Sequence, residues 1–228
     1  MKKILLVALL TGAMTLSLVS CSPSSTNEEK TKVEQAQTEG NDSFIGEGEW
    51  AKDYTREEVI SLNDEIFERV EEKCNFYGLE YNKEEKFSEE SGETVSDKFI
   101  YFDNLDPEPN RMESMYYGFK TYGSDISKGS LNLKIGFRLD LDQIREEEKF
   151  DIKETSISAF SEAMTNDIER DYTELNEKII DIVKNQNANG TIESNLDGLV
   201  ETITIKDEFL LYKLDSKVYD FKNKNNNI

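Results

Sequence analysis

The chain has 228 residues, with 27 Lys and Arg against 48 Asp and Glu, no His and two Cys, and a formal charge of −21. Without imidazole it offers no Ser-His or Cys-His nucleophile, no His-ligated zinc site and no histidine switch near neutral pH. So large an acidic excess also argues against nucleic acid as a partner, because affinity for the phosphate backbone comes from clustered Lys and Arg.

At the amino terminus, Lys2 and Lys3 form a short basic region, and residues 4–10 are an apolar stretch much shorter than the roughly 20 residues of a membrane-spanning helix. Leu18-Val19-Ser20-Cys21 follows. Together these features resemble the signal peptide and lipobox of bacterial lipoproteins, in which a diacylglyceryl group is added to the Cys and the peptide is cut before it. The resemblance implies a signal peptide over residues 1–20 and lipid attachment at Cys21. It places the protein at the cell membrane, lipid-anchored on the extracytoplasmic face without spanning it. Two acyl chains hold stably, at about 0.8 kcal/mol per buried methylene, where one chain would be marginal. Removing residues 1–20 takes away two lysines and no acid, which leaves a charge of −23 and Cys74 as the only free thiol. No internal disulfide is then available, so the fold must be held by its core. Lys, Asn, Glu and Ile are heavily used and Ala is scarce, the pattern of A+T-rich codons and of a Gram-positive-like source.

Residues 21–49 are Ser, Thr, Glu, Lys and Gln with almost no large apolar side chain before Phe44, and read as a flexible acidic tether. Residues 50–221 read as a single domain and residues 222–228 as a disordered polar tail. Thr55-Arg56-Glu57-Glu58 is a capping box. Val59, Leu62, Ile66, Val70, Cys74 and Tyr77 then recur at helical spacing, with Gly78 as the stop. Strands are expected at 98–102, more weakly at 86–90, and at Met115, Tyr117, Phe119 and Thr121. Leu131, Leu133, Ile135, Phe137, Leu139 and Leu141 alternate with polar residues, the period of a half-buried strand. From about 155 to 184, Ile157, Phe160, Met164, Ile168, Leu175, Ile179 and Val183 predict one helix of about 45 Å. Strands at 200–205 and 209–214, joined by Lys206-Asp207-Glu208, and a last one near 218–221 complete the set. This order predicts an α+β fold, an antiparallel sheet of about five to seven strands with two main helices packed on one face.

Three groups of residues bear on chemistry. Asn185, Asn187, Asn189, Gly190, Thr191 and Glu193 resemble the calcium loop of the EF-hand family, with oxygen ligands at alternate positions and Gly at the sixth. The pattern departs from that family at the twelfth position, which is Leu196. Its alternative is an Asn-rich helix C-cap with Gly190 left-handed. Asp103, Asp106, Glu108, Asp140 and Asp142, beside Asn104 and Asn110, supply the paired carboxylates that glycoside hydrolysis or calcium ligation requires. In the aromatic run from Met115 to Tyr122, alternation sends Tyr117 and Phe119 to the core and Tyr116 and Tyr122 to an open face able to stack on a sugar or peptide. Cys74 reads as a packing thiol.

No Ser-x-x-Lys, Gly-x-Ser-x-Gly, phosphate-loop, dinucleotide or Cys-x-x-Cys motif is present. The expectation is a lipid-anchored protein with an acidic binding domain and no assigned catalytic residue. A cationic protein, peptide or metal cation is the expected partner, besides the membrane. The alternatives are a carboxylate-based cell-wall glycan hydrolase and a weak calcium-binding surface protein. No cofactor is expected beyond the lipid on Cys21, apart from calcium at the Asn-rich loop.

Overall fold

The computed structural model describes residues 47–185 and 187–221. The signal peptide, Cys21, the tether up to residue 46 and the tail at 222–228 lie outside the described residues. Seven long strands form one antiparallel sheet: β1 Asn82–Glu90, β2 Glu93–Asp103, β3 Arg111–Tyr122, β4 Lys128–Arg138, β5 Asn189–Leu196, β6 Leu199–Lys206 and β7 Phe209–Asp215. A two-residue β8, Tyr219–Asp220, pairs with the start of β4. The spatial order is β1-β2-β3-β4-β7-β6-β5. Helices α1 Arg56–Phe76, α3 Ser156–Thr165 and α4 Thr173–Lys184 cover one face, with the short α2 Leu141–Glu147 beside α4. The fold is α+β, as the sequence predicts.

The first helix starts and stops where its sequence says. Thr55 Oγ1 accepts from the Glu58 amide while Glu58 Oε2 accepts from the Thr55 amide. At the other end Gly78 has φ +66°, its N–H donates to Asn75 O and the Leu79 N–H donates to Cys74 O at 2.9 Å. These two bonds are a Schellman motif, which turns the chain sharply and packs Leu79 back toward Cys74. The buried stripe of α1 also takes in Phe67 and Asn63, and Tyr117 donates from the sheet to Asn63 Oδ1 at 3.1 Å.

The long second helix is instead two. Asn166 ends α3 in the left-handed conformation, φ +59°, and α4 begins after Asp171, whose carboxylate accepts from the Thr173 amide and hydroxyl. Ile168 keeps the helical spacing but is 69% exposed, so it belongs to no core face. The connection is pinned from inside. Arg170 reaches Glu201 with two bonds of 2.7 and 2.8 Å, its guanidinium lies 4.5 Å from the Tyr172 ring, and Tyr212 and Ser194 donate to the same carboxylate. Ser161 and Tyr212 complete the network. A buried charge held so fully is satisfied where a lone one would be costly.

On the sheet, Tyr117 and Phe119 are buried beneath the helices, and the open face carries Tyr116 and Tyr122, as their alternation predicts. The strand expected to run to Leu141 ends at Arg138, because Asp140 accepts from the Gln143 amide and caps α2. The sheet also has one strand, β5, that the sequence reading missed.

Candidate functional site

Both ends of the sheet are built from turns, and they differ in chemistry. At one end the chain arrives from its amino terminus. The Trp50 amide donates to Asp197 O at 2.9 Å in the β5–β6 turn, Tyr219 donates to Trp50 O, and Lys217 donates to Ala51 O. Trp50 itself is buried in the core. These contacts seat the start of the described chain beside residues 197–198 and 217–219.

The other end carries a cleft of about 470 Å³, more enclosed than its neighbours. Its apolar wall is Tyr77, Leu79, Phe102, Met112 and Phe137, delivered by the end of α1, the Schellman turn and strands β2, β3 and β4. Its polar wall is Asn104, Asp106, Glu108 and Asn110 from the β2–β3 loop, Arg111 at the start of β3, and Ser156 in the first turn of α3 with Glu154 and Thr155 before it. A hollow with one apolar wall and one polar wall has the size of a small-ligand site. Shallower grooves flank the same loop on both sides, one reaching Asp103 and Tyr81, the other Arg138 and Glu208.

The β2–β3 loop is held rigidly. The Asn104 amide donates to Glu113 O, Asn104 Oδ1 accepts from the Asp106 amide, and Arg138 donates to Pro107 O at 3.1 Å. Asn110, at φ +57°, donates its amide to Arg138 O and accepts from the Asp140 amide. Backbone so fully bonded presents its side chains at low ordering cost when a ligand arrives. Among the described residues, Asp106, Glu108 and Arg111 have no ion-pair partner, whereas Glu154 lies 3.6 Å from Lys149. Leu105, at the tip of the loop, is 99% exposed, and Phe76 beside Tyr77 is also exposed.

Of the acidic set read from sequence, Asp106 and Glu108 with Asn104 and Asn110 therefore meet in one cleft. Asp103 faces the neighbouring groove, Asp140 is a helix cap, and Asp142 is exposed at 3.8 Å from Arg145. Glu154, Arg111 and the apolar wall carried no signal in sequence, since only the fold brings 77–79, 102–112 and 154–156 together.

The Asn-rich segment is arranged differently from the expectation. Asn185 caps α4, Asn187 sits in a turn, and Asn189, Thr191 and Glu193 are alternate residues of β5, pairing with Lys206, Thr204 and Thr202. Alternate residues of a strand stand about 6.6 Å apart on one face, so these three do not encircle one point as a calcium loop does. Gly190 is not left-handed. A Cβ there would lie 2.9 Å from Ile182 of α4, so the glycine serves close packing of strand and helix. Among the described residues, no group of three or more Cys, Asp or Glu is placed to hold a metal.

Tyr116 and Tyr122 share the open face but are six residues apart, about 20 Å along the strand, and do not form one platform. Tyr116 stacks on Phe99 with centroids 5.2 Å apart, donates to Asp97 at 2.7 Å and has Lys134 Nζ 5.1 Å from its ring. Burial, with the Asp97 bond, pushes its phenol well above the ordinary value. Cys74 is fully buried, and burial with the nearby Glu71 pushes its thiol up to about 11. None of the described helices is long and apolar enough to cross a membrane. Comparison of the chain with protein-family models, curated proteins and solved structures returned no match.

Proposed function

We propose that this protein is a lipid-anchored extracytoplasmic binding protein, tethered through Cys21, whose cleft beside the β2–β3 loop takes a cationic ligand with an apolar part. The observation that carries this reading is the opposition of the two ends. The chain that follows the lipobox reaches the sheet at the 197–198 turn. The cleft lies at the far end of β4, whose 11 residues extend about 33 Å. Helix α1 runs the same way, from Thr55 near the anchor end to Tyr77 in the cleft wall. The described chain thus enters at one end of the sheet and the cleft opens at the other.

Charge supports the ligand class. Asp106 and Glu108 stand unpaired beside an apolar wall, and the mature chain's −23 attracts cations over a Debye length of about 8 Å at physiological ionic strength. The experiment has two arms. Labelled palmitate enters the wild-type protein and is absent from Cys21→Ala. Cells bearing the wild type capture a Lys-rich peptide with an aromatic residue at low salt, whereas cells bearing equal amounts of an Asp106→Asn, Glu108→Gln protein capture several-fold less. Equal capture by both, or a wild-type protein that is unlabelled and released, contradicts the reading.

A further inference from the structure

The cleft holds one cation among its acids, and that cation has no ion-pair partner among the described residues. Arg111 lines the hollow at the start of β3, and its guanidinium donates to Asn110 O at 3.3 Å. Arginine offers a planar fork of donors matched to a carboxylate, so an unpaired one in a cleft of otherwise opposite charge marks where a ligand's anion would sit. The first turn of α3, with its positive dipole end and Ser156, lines the same cleft. Ser156 Oγ is buried there without a hydrogen-bond partner among the described residues. Arg111, the two carboxylates and the apolar wall all line this one cleft. A purely cationic ligand leaves Arg111 unused and meets its repulsion, and a purely anionic one meets Asp106 and Glu108.

We infer that the cleft takes a short cationic peptide by its carboxyl terminus. The terminal carboxylate pairs with Arg111 near the α3 first turn, an apolar terminal side chain lies on Leu79, Phe102 and Met112, and a basic residue upstream meets Asp106 and Glu108. This inference rests on the cleft being the binding site and adds which end of which molecule enters it. Its chemistry runs against the net charge. Were attraction by the acidic chain the whole cause, blocking the terminus as an amide would make the peptide more cationic and tighten binding.

The test is calorimetric titration of the full detergent-solubilised chain with Lys-Lys-Phe as the free acid and as the carboxamide. The free acid binds wild type about tenfold or more tighter than the amide, the range of a charge-assisted pair. Arg111→Gln brings the free acid to the level of the amide and leaves the amide's affinity unweakened, and Arg111→Lys recovers part of the difference. Arg111 is exposed, so an unchanged urea midpoint checks that the variant folds. An amide that binds as tightly as the acid, or an Arg111→Gln protein that retains the wild-type preference, overturns the carboxyl-terminal assignment and leaves the cationic cleft standing. Absence of heat with both peptides overturns the cleft reading and this inference together.

Discussion

At the residue scale, the molecule puts its buried polar groups where they hold the fold. Arg170 and Glu201 are the best-satisfied ion pair among the described residues, with side-chain exposures of 9% and 3%. Removing one partner leaves the other charged and enclosed, so Arg170→Ala is expected to cost about 3–5 kcal/mol in urea unfolding. Replacing an exposed partner such as Lys178, paired with Glu174, is expected to cost under about 1 kcal/mol. The tyrosines make a pH prediction. Burial first, then its bond to Glu49, raises the Tyr54 phenol to about 12, and burial raises Tyr117, Tyr212 and Tyr219 as well. A phenol whose folded value lies above its unfolded value of about 10 contributes stability that is whole below pH 10. That stability is lost as pH rises through the folded value, and Cys74 acts in the same direction. Urea midpoints are therefore expected to hold level up to about pH 8.5, to begin falling near pH 9 through Cys74 and to fall steeply above pH 10 through the phenols. Absorbance at 295 nm should show the buried phenols ionising only with unfolding. A midpoint that rises above pH 10 contradicts this assignment.

At the scale of elements, the turn that closes α1 also builds the site. Gly78→Ala places a Cβ at φ +66°, which costs about 1 kcal/mol and loosens the seat of Leu79 in the cleft wall. The expected outcome is a small loss of stability with a larger proportional loss of peptide binding. A stability loss with full binding would separate the turn from the cleft. The elements legible in sequence were those in which local signal and burial agree: the capping box at Thr55, the alternation along β4, the hairpin of β6 and β7. The helix from 155 to 184 misled because Ile168 stands at the right spacing while Asn166 and Asp171, both able to end or cap a helix, sit on either side of it. Strand β5 was missed because its outward residues are Asn189, Thr191, Glu193 and Asn195, which read as a polar loop. Strand β1 was faint because all nine residues are exposed and neither face alternates. Half of the site was visible as acids around two prolines. The other half, Arg111, Leu79 and the start of α3, takes its meaning from tertiary proximity that local pattern does not encode.

At the scale of the whole molecule, the proposed function combines an acylated Cys21 and an acidic chain with a cleft at the far end of the sheet. A cysteine introduced as Glu108→Cys reacts with an impermeant maleimide on vesicle-bound protein while Cys74, buried and raised, stays unlabelled until the chain unfolds. Equal labelling of Cys74 in the native protein would contradict the core packing of α1. The central claim is that the cleft binds cations through Asp106 and Glu108, and it is tested most directly by titrating one cationic, aromatic-ended peptide into wild type and into the Asp106→Asn, Glu108→Gln protein across a salt series. Wild-type affinity is expected to fall steeply as salt rises, and the double variant is expected to bind about tenfold or more weakly at low salt with a shallower salt slope. Equal affinities and equal slopes for the two proteins would contradict it.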